Sequence, residues 1–306
     1  MAMQERRRHP ELRLRDAIRE YWNAHPHGTE YAGSLDPESV TPAFFERIRP
    51  WMSPYRFPWI MEGIEREAAG LRGKRLLDVG CGLGYDSLEF IRRGVRVTAT
   101  DISASAVALA RRHFAIAGVR AEALDVASAL DLPYGDGAFD AVWSDGVLYY
   151  TGDMPQALRE IWRVLRPGGR AIVSHLRRRP SWIDLVSRLG HERIEFKDAE
   201  PPVSDAHTEA EILAMFGEFE VVETTRDQFR ARPTARSGWK AALYRYGFQP
   251  LYNAMPRFLA ELWASKLSVV ALKPLQSPRH GSAAGSDWVQ SPVRRTVVEC
   301  LSHSVT

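Results

Sequence analysis

Between Arg75 and His175 short apolar runs alternate with stretches of helical periodicity, and that order constrains the fold more than anything else in the chain. Residues 76–79 read as a buried strand, followed by a glycine-rich turn and a helix over 86–93. Residues 95–100 form a second strand closed by Asp101, with a helix over 103–117 behind it. A third strand is expected at 121–124 and a fourth at 139–144. A helix over 154–165 is stopped by Pro167-Gly168-Gly169, and a fifth strand covers 170–175. Such alternation predicts a parallel sheet covered on both faces. Right-handed crossovers make it a doubly wound, Rossmann-like α/β fold.

The regularity lapses after the fifth strand. A helix at 209–216 and strands at 218–224 and 267–272 complete a seven-stranded, mostly parallel sheet whose last strand is antiparallel. A hairpin between two such strands takes about two to five residues. Here roughly residues 226–265 intervene, carrying Trp239, Tyr244, Tyr246, Phe248, Tyr252, Phe258 and Trp263, and they are expected to form a cap. At the other end, 11–24 has helical spacing up to His25-Pro26-His27-Gly28. The aromatic stretch 44–61 is broken by Pro50, Pro54 and Pro58, and 61–71 reads as a helix. The expected organisation is a helical and aromatic lid over 1–70, a core over 71–274 and a disordered tail over 275–306.

Composition excludes several functions. The net charge of +3, from 41 basic and 38 acidic residues, is too small to argue for nucleic acid. Only five of the 41 basic residues are lysines, a skew that points to a GC-rich genome rather than a binding surface. No uncharged apolar run approaches the roughly 18 residues a membrane helix needs. The first twenty residues alternate arginine with acid, unlike a secretory signal. Cys81 and Cys300 cannot build a disulfide framework, so a reducing cytoplasm is expected. No histidine and acid cluster has metal-ligand spacing.

The chemistry concentrates in Leu76-Leu77-Asp78-Val79-Gly80-Cys81-Gly82-Leu83-Gly84. Glycines between a parallel strand and a helix let a ligand approach the backbone, and the helix offers free amide groups. The spacing is G-x-G-x-G, not the G-x-G-x-x-G of a dinucleotide site. Asp78 would repel a diphosphate and suits a ligand carrying positive charge. Asp101 ends strand two, where an acid hydrogen-bonds ribose hydroxyls. Asp125 follows strand three on the same carboxyl edge. Three acids beyond three neighbouring strands fit a nucleoside with a cationic appendage. Cys81 reads as a small packing residue, and Arg177-Arg178-Arg179 as a solvated face, with anion binding as the alternative.

With those residues in place, the chain resembles the class I S-adenosylmethionine-dependent methyltransferases over about residues 71–176. LLDVGCGLGYDS is similar to the family's first motif, VTATDIS to its second, and ALDVASALDLPYGDGAFDAVWSDGVLYY to its third and fourth. ALREIWRVLRPGGRAIV resembles the helix and strand that close the core. The resemblance implies S-adenosylmethionine as cofactor. It places Asp78, Gly80, Cys81, Gly82 and Gly84 around the methionine part. Asp101 and Ile102 would hold the ribose, and Asp125 with Val126 the adenine. Ser144 and Asp145 would flank the sulfonium, with Tyr21 reaching in from the N-terminal segment.

Tyr149 and Tyr150 stand where relatives often have two histidines. They follow strand four and His175 ends strand five, so these three are the candidate proton acceptors or substrate-positioning groups. His25 and His27 are further candidates. After strand four the chain reads Ser144-Asp145-Gly146-Val147, without the Asn/Asp-Pro-Pro-aromatic run of nucleobase and glutamine methyltransferases. The expected acceptor is a small, partly apolar or aromatic metabolite, methylated on O, N or C. Aromatic residues of 44–60 and 239–263 are expected to line its pocket. A peptide or protein acceptor, binding without catalysis, and a Rossmann-type oxidoreductase are the alternatives; glycine spacing and Asp78 argue against the last.

Overall fold

A computed structural model describes residues 2–31, 40–182, 184, 201–227 and 239–275. Strands β1 (Arg75–Val79), β2 (Arg96–Asp101), β3 (Ala123–Val126), β4 (Phe139–Asp145), β5 (Leu165–Arg177), β6 (Glu220–Asp227) and β7 (Lys266–Leu272) form one sheet. Their order is β3-β2-β1-β4-β5-β7-β6. The first five run parallel, and β7 is antiparallel to both β5 and β6.

Alternation along each strand feeds two cores. Leu77 and Val79 of β1, Val142 of β4, Ala171 and Val173 of β5 and Val269 of β7 join one. Leu76, Ala141, Trp143, Ile172 and Val270, one residue out of step, join the other. Side chains of successive strand residues point to opposite faces, so both faces must be covered. Helices α7 (Met154–Val164) and α8 (Glu209–Met215) cover the first core through Leu158, Ile161 and Ile212. Helices α4 (Pro58–Leu71) and α5 (Tyr85–Arg92) cover the second through Ile60, Ile64 and Phe90.

Several boundaries differ from the sequence expectation. Strand β3 lies at Ala123–Val126 rather than 121–124, β6 at Glu220–Asp227 rather than 218–224, and the N-terminal helix begins at Ala2 rather than 11. Two further shifts have a local cause. Helix α4 starts at Pro58, because a proline at the first helical position has no amide to lose and a φ already suited to the helix. Strand β5 starts at Leu165, which pairs with Phe139 ahead of an irregularity, so the chain is extended before Pro167 is reached. Helix α6 (Ala104–Ile116) begins behind Ser103, whose side chain accepts from the Ala106 amide.

The N-terminal segment packs on the crevice end of the sheet. Helix α1 (Ala2–Ala24) is joined to the start of α6 by Ser103 Oγ, which donates to the Trp22 carbonyl at 3.0 Å. Helices α2 (Pro42–Ile48) and α3 (Ser53–Arg56) are tied to α5, where the Tyr85 hydroxyl donates to the Phe45 carbonyl and the Tyr55 hydroxyl to Glu89, each at 2.7 Å. Between β6 and β7, residues 239–263 form short helical turns, one of them a π-helix at Leu243–Phe248. Tyr244 and Tyr252 bury Trp182 there in a small core of their own. Of the expected tail, 276–306 lies outside the described residues.

Candidate active site

Strand order reverses between β1 and β4, and doubly wound sheets open their ligand crevice at such a point. A cavity of about 930 Å³ lies there, at the upper end of the range for small-ligand sites. Its wall at one end is the turn after β1. The Gly80 and Cys81 amides both donate to the Thr100 carbonyl, at 2.7 and 2.9 Å, which folds the turn back on β2. The Gly82 amide donates to Asp101 Oδ2 and the Ser103 amide to Asp101 Oδ1, each at 2.9 Å. Asp101 therefore clamps the glycine turn to the start of α6 while lying on the cavity wall.

Three glycines of the turn have positive φ, for different reasons. A Cβ on Gly80 would overlap Val147, and one on Gly84 would strike the Phe114 ring at 2.7 Å. A Cβ on Gly82 would meet nothing within 4 Å. Only Gly82 is thus kept bare by the cavity side.

The surrounding electrostatics are acidic. Burial pushes the Asp78 carboxyl up to about 7, against the Ser87 hydroxyl that bonds it, and the Asp145 and Asp101 charges push the same way. Burial, then Asp145 and Asp78, hold Asp86 well above the carboxylate range, although Trp143 Nε1 donates to it at 2.8 Å. Burial raises Asp101 too. Like charges in a low dielectric favour protonation until a cation arrives.

The other end is built by β4, β5 and β7. His175 Nδ1 lies 2.7 Å from Asp145 Oδ1, while its buried Nε2 has no hydrogen-bond partner among the described residues. Burial raises the Asp145 carboxyl, but the His175 ring outweighs it and the net direction is down. Among the described residues His175 alone carries a positive φ without being glycine, at 55°. It sits where the β5–β7 pairing slips between Val173 and Leu176. The slip returns Leu176 to the core of Val173 and turns His175 to the cavity. The Phe57 ring meets the imidazole edge-on at 5.0 Å. Nearby, Lys266 Nζ donates to the Tyr149 hydroxyl at 2.9 Å, and the Trp22 and Tyr150 rings meet at 5.1 Å.

Of the sequence candidates, Asp78, Gly80, Cys81, Gly82, Asp101, Ile102, Asp145, Tyr149, Tyr150, His175 and His27 share this wall. Gly84, Asp125, Val126, Ser144, Tyr21 and His25 are not on it. Asp125 instead accepts the Tyr134 hydroxyl at 2.9 Å, and Val126 points outward, 54% exposed. The wall beyond β3 is Ala127, Ser128, Ala129 and Leu130. Ser144 is fully buried and donates to the Val79 carbonyl at 3.1 Å. Tyr21 stacks on His25 at 4.8 Å. From 44–60, Trp51, Met52, Ser53, Arg56 and Phe57 line the cavity, whereas no described residue of 239–263 does. That segment reaches the wall only through Trp182, which it buries.

Asp86 and Lys266 join the wall without having been sequence candidates, and so does Trp22, next to the candidate Tyr21. Asp86 was legible as an acid in the first turn after the glycines. Lys266 enters through antiparallel pairing that no spacing announces. Among the described residues no group of three histidine, cysteine or acid side chains could hold a metal ion, and no helix is long and apolar enough to cross a membrane.

Residues 77–173 match the family model described as a methyltransferase domain. The ubiquinone biosynthesis O-methyltransferase of Aeromonas salmonicida is 33% identical over 129 residues, 42% of this chain and 52% of that protein. Over residues 77–173 the chain carries a methyltransferase domain. The O-methyltransferase resE of Aspergillus sclerotiorum is 32% identical to it over 176 residues, 56% of this chain and 64% of that protein. The chain spans about half the length of the curated relatives it matches. Likeness of fold extends beyond the matched segment. Geranyl diphosphate C-methyltransferase from Streptomyces coelicolor aligns over 85% of this chain and 98% of its own, with a TM-score of 0.53 at 18% identity. The residues fit S-adenosylmethionine, the cofactor of this domain: its amino group and sulfonium are cations for the acids, and bare Gly82 leaves room against the backbone.

Proposed function

We propose that the protein transfers a methyl group from S-adenosylmethionine to a small, partly apolar or aromatic metabolite. The observation that carries this reading is one cavity with an acid-lined glycine turn at one end and the His175–Asp145 pair at the other. The names of the relatives, O-methyltransferases in bacteria and a fungus, favour oxygen as the accepting atom.

The bound cofactor supplies an electrophilic methyl on a positively charged sulfur. Asp78, Asp86 and Asp101 hold the cationic ligand and its ribose against the Gly82 backbone. Asp145 stands between that end and His175 and serves both. His175 Nε2 accepts the proton of the attacking hydroxyl, and Asp145 steadies the imidazolium that results. A phenol ionises near 10, so a positioned base matters at neutral pH. Holding acceptor and methyl about 3 to 3.5 Å apart in line supplies most of the acceleration. Phe57, Trp51, Met52 and Trp182 keep water from the reacting atoms. The backbone strain at His175 supports this assignment, because such outliers persist where surrounding structure holds a group in a working position.

The test is turnover to S-adenosylhomocysteine with a panel of catechols, phenols and hydroxy acids. The reading expects activity with at least one acceptor and a loss of about 10²–10⁴ in kcat for His175→Gln with intact cofactor affinity. Cofactor binding without turnover on any of them would favour the alternative of a binding protein.

A further inference from the structure

Resting on the methyltransferase reading, we propose that Arg56 binds the carboxylate of the cofactor's methionine part, so that the site favours the whole zwitterion over its decarboxylated form. S-adenosylmethionine carries two cationic groups, the ammonium and the sulfonium, and one anion. The acids Asp78, Asp86, Asp101 and Asp145 on the cavity wall suit the two cations. For the same reason they disfavour the carboxylate, which needs a cation of its own.

Helix α3 supplies one. Arg56 ends that helix, half-buried, on the cavity wall. Its two chain neighbours are fixed to different parts of that wall. The Tyr55 hydroxyl donates to Glu89 of α5 at 2.7 Å, and its ring meets that of Tyr85 at 6.0 Å. The Phe57 ring meets His175 at 5.0 Å. Arg56 is thus anchored on one side to the helix that follows the glycine turn and on the other to His175.

Aromatic rings hold its guanidinium in place. The guanidinium carbon lies 5.6 Å from the centre of the Trp51 ring and 5.5 Å from that of Phe57. Trp51 is itself stacked on Tyr31, with 4.6 Å between the ring centres. Cation–π attraction fixes the plane of an arginine without using its N–H groups. Among the described residues those N–H groups have no hydrogen-bond or ion-pair partner. A planar fork held in this way matches a carboxylate through two parallel charge-assisted bonds.

The other cations on the wall are placed elsewhere. Lys266 donates to the Tyr149 hydroxyl at 2.9 Å and Arg177 to Ser204 Oγ at 2.8 Å, where β5 meets β7. Next to Arg177 in the run expected to be a solvated face, Arg178 is buried and donates to the Ala264 carbonyl at 3.0 Å, while Arg179 faces Glu211. Arg15 lies on α1, about two turns ahead of Trp22. His27 Nδ1 lies 3.8 Å from Glu30. Of these side chains, only Arg56 sits on a helix tied to α5.

The test is calorimetric titration of the full chain with S-adenosylhomocysteine and with decarboxylated S-adenosylhomocysteine, which differ only in that carboxylate. The expected result is a wild-type preference of about tenfold or more for the intact ligand, the size expected of hydrogen bonds between charged groups. Arg56→Met should abolish the preference while leaving affinity for the decarboxylated ligand unchanged, and Arg56→Lys should keep part of it. Thermal unfolding checks the fold of each variant, and Arg56→Gln repeats the measurement should the methionine variant not fold. Equal wild-type affinity for the two ligands overturns the proposal. So does a preference that survives in folded Arg56→Met. An equal loss of both ligands in that variant also overturns it, leaving Arg56 as a support of the N-terminal segment alone. Failure of the wild-type protein to bind S-adenosylhomocysteine would instead sink the methyltransferase reading itself.

Discussion

Asp78 shows how a single side chain can be set by its ligand. Buried among acids, its carboxyl is pushed up to about 7, well above its value in an unfolded chain. A group raised on folding contributes stability that is full below the unfolded pKa and lost as pH rises through the folded one. The unliganded protein should therefore lose stability between about pH 4 and 7 from this group. A cationic ligand reverses the preference by favouring the carboxylate. Thermal unfolding at pH 6 and pH 8, with and without S-adenosylmethionine, checks this: the ligand should raise the midpoint more at pH 8. A larger increment at pH 6 would mean that the raised acids Asp78, Asp86 and Asp101 do not meet the cation. Asp145, held low beside His175, titrates below this window and does not disturb the comparison. The acid at 78 was legible in the sequence by its place before the first glycine. Its neighbour Asp86 was visible as an acid in the first turn of α5, but its coupling to Asp78 and Asp145 is set by the fold.

At the scale of elements, the glycine turn and the β5 slip do different jobs. Gly84 secures the packing of α5 against Phe114 and Ala110, whereas Gly82 faces the cavity. An alanine at either site must adopt positive φ at a cost of about 1–2 kcal/mol. Gly84→Ala adds a clash in a packed core, worth about 1–3 kcal/mol more. Denaturant unfolding should rank Gly84→Ala as the less stable variant, while calorimetry should show Gly82→Ala as the greater loss in cofactor affinity. The reverse ranking would misplace the ligand along the turn. The sheet itself was readable because apolar runs and helical periodicity alternate without interruption from Leu76 to Val173. The slip that aims His175 was not, because it depends on which strand lies alongside β5 and where that pairing fails. The same holds for Asp125: sequence puts it on the carboxyl edge, but the Tyr134 hydroxyl claims its carboxylate and leaves the cavity wall to Ala127–Leu130.

For the whole molecule, the net charge of +3 hides a cavity whose glycine-turn end is lined by acids. The N-terminal segment completes that cavity through Ile18, Trp22, Pro26 and the 51–57 stretch. Trp22 meets Tyr150 across it, so Trp22→Ala should weaken cofactor and acceptor binding together by several-fold without unfolding the sheet. An effect on neither, in paired titrations, would place α1 outside the working site. The aromatic residues of 239–263 looked from sequence like pocket wall, but they serve it indirectly by burying Trp182.

The central claim is that the acid-lined glycine turn is the S-adenosylmethionine site. Calorimetric titration of the wild-type protein and Asp101→Ala with S-adenosylmethionine, with NAD as control, tests it most directly. Wild-type protein should bind S-adenosylmethionine at micromolar concentrations and not bind NAD, and Asp101→Ala should lose at least tenfold in affinity. Unchanged affinity in Asp101→Ala, or NAD binding in preference to S-adenosylmethionine, would contradict it.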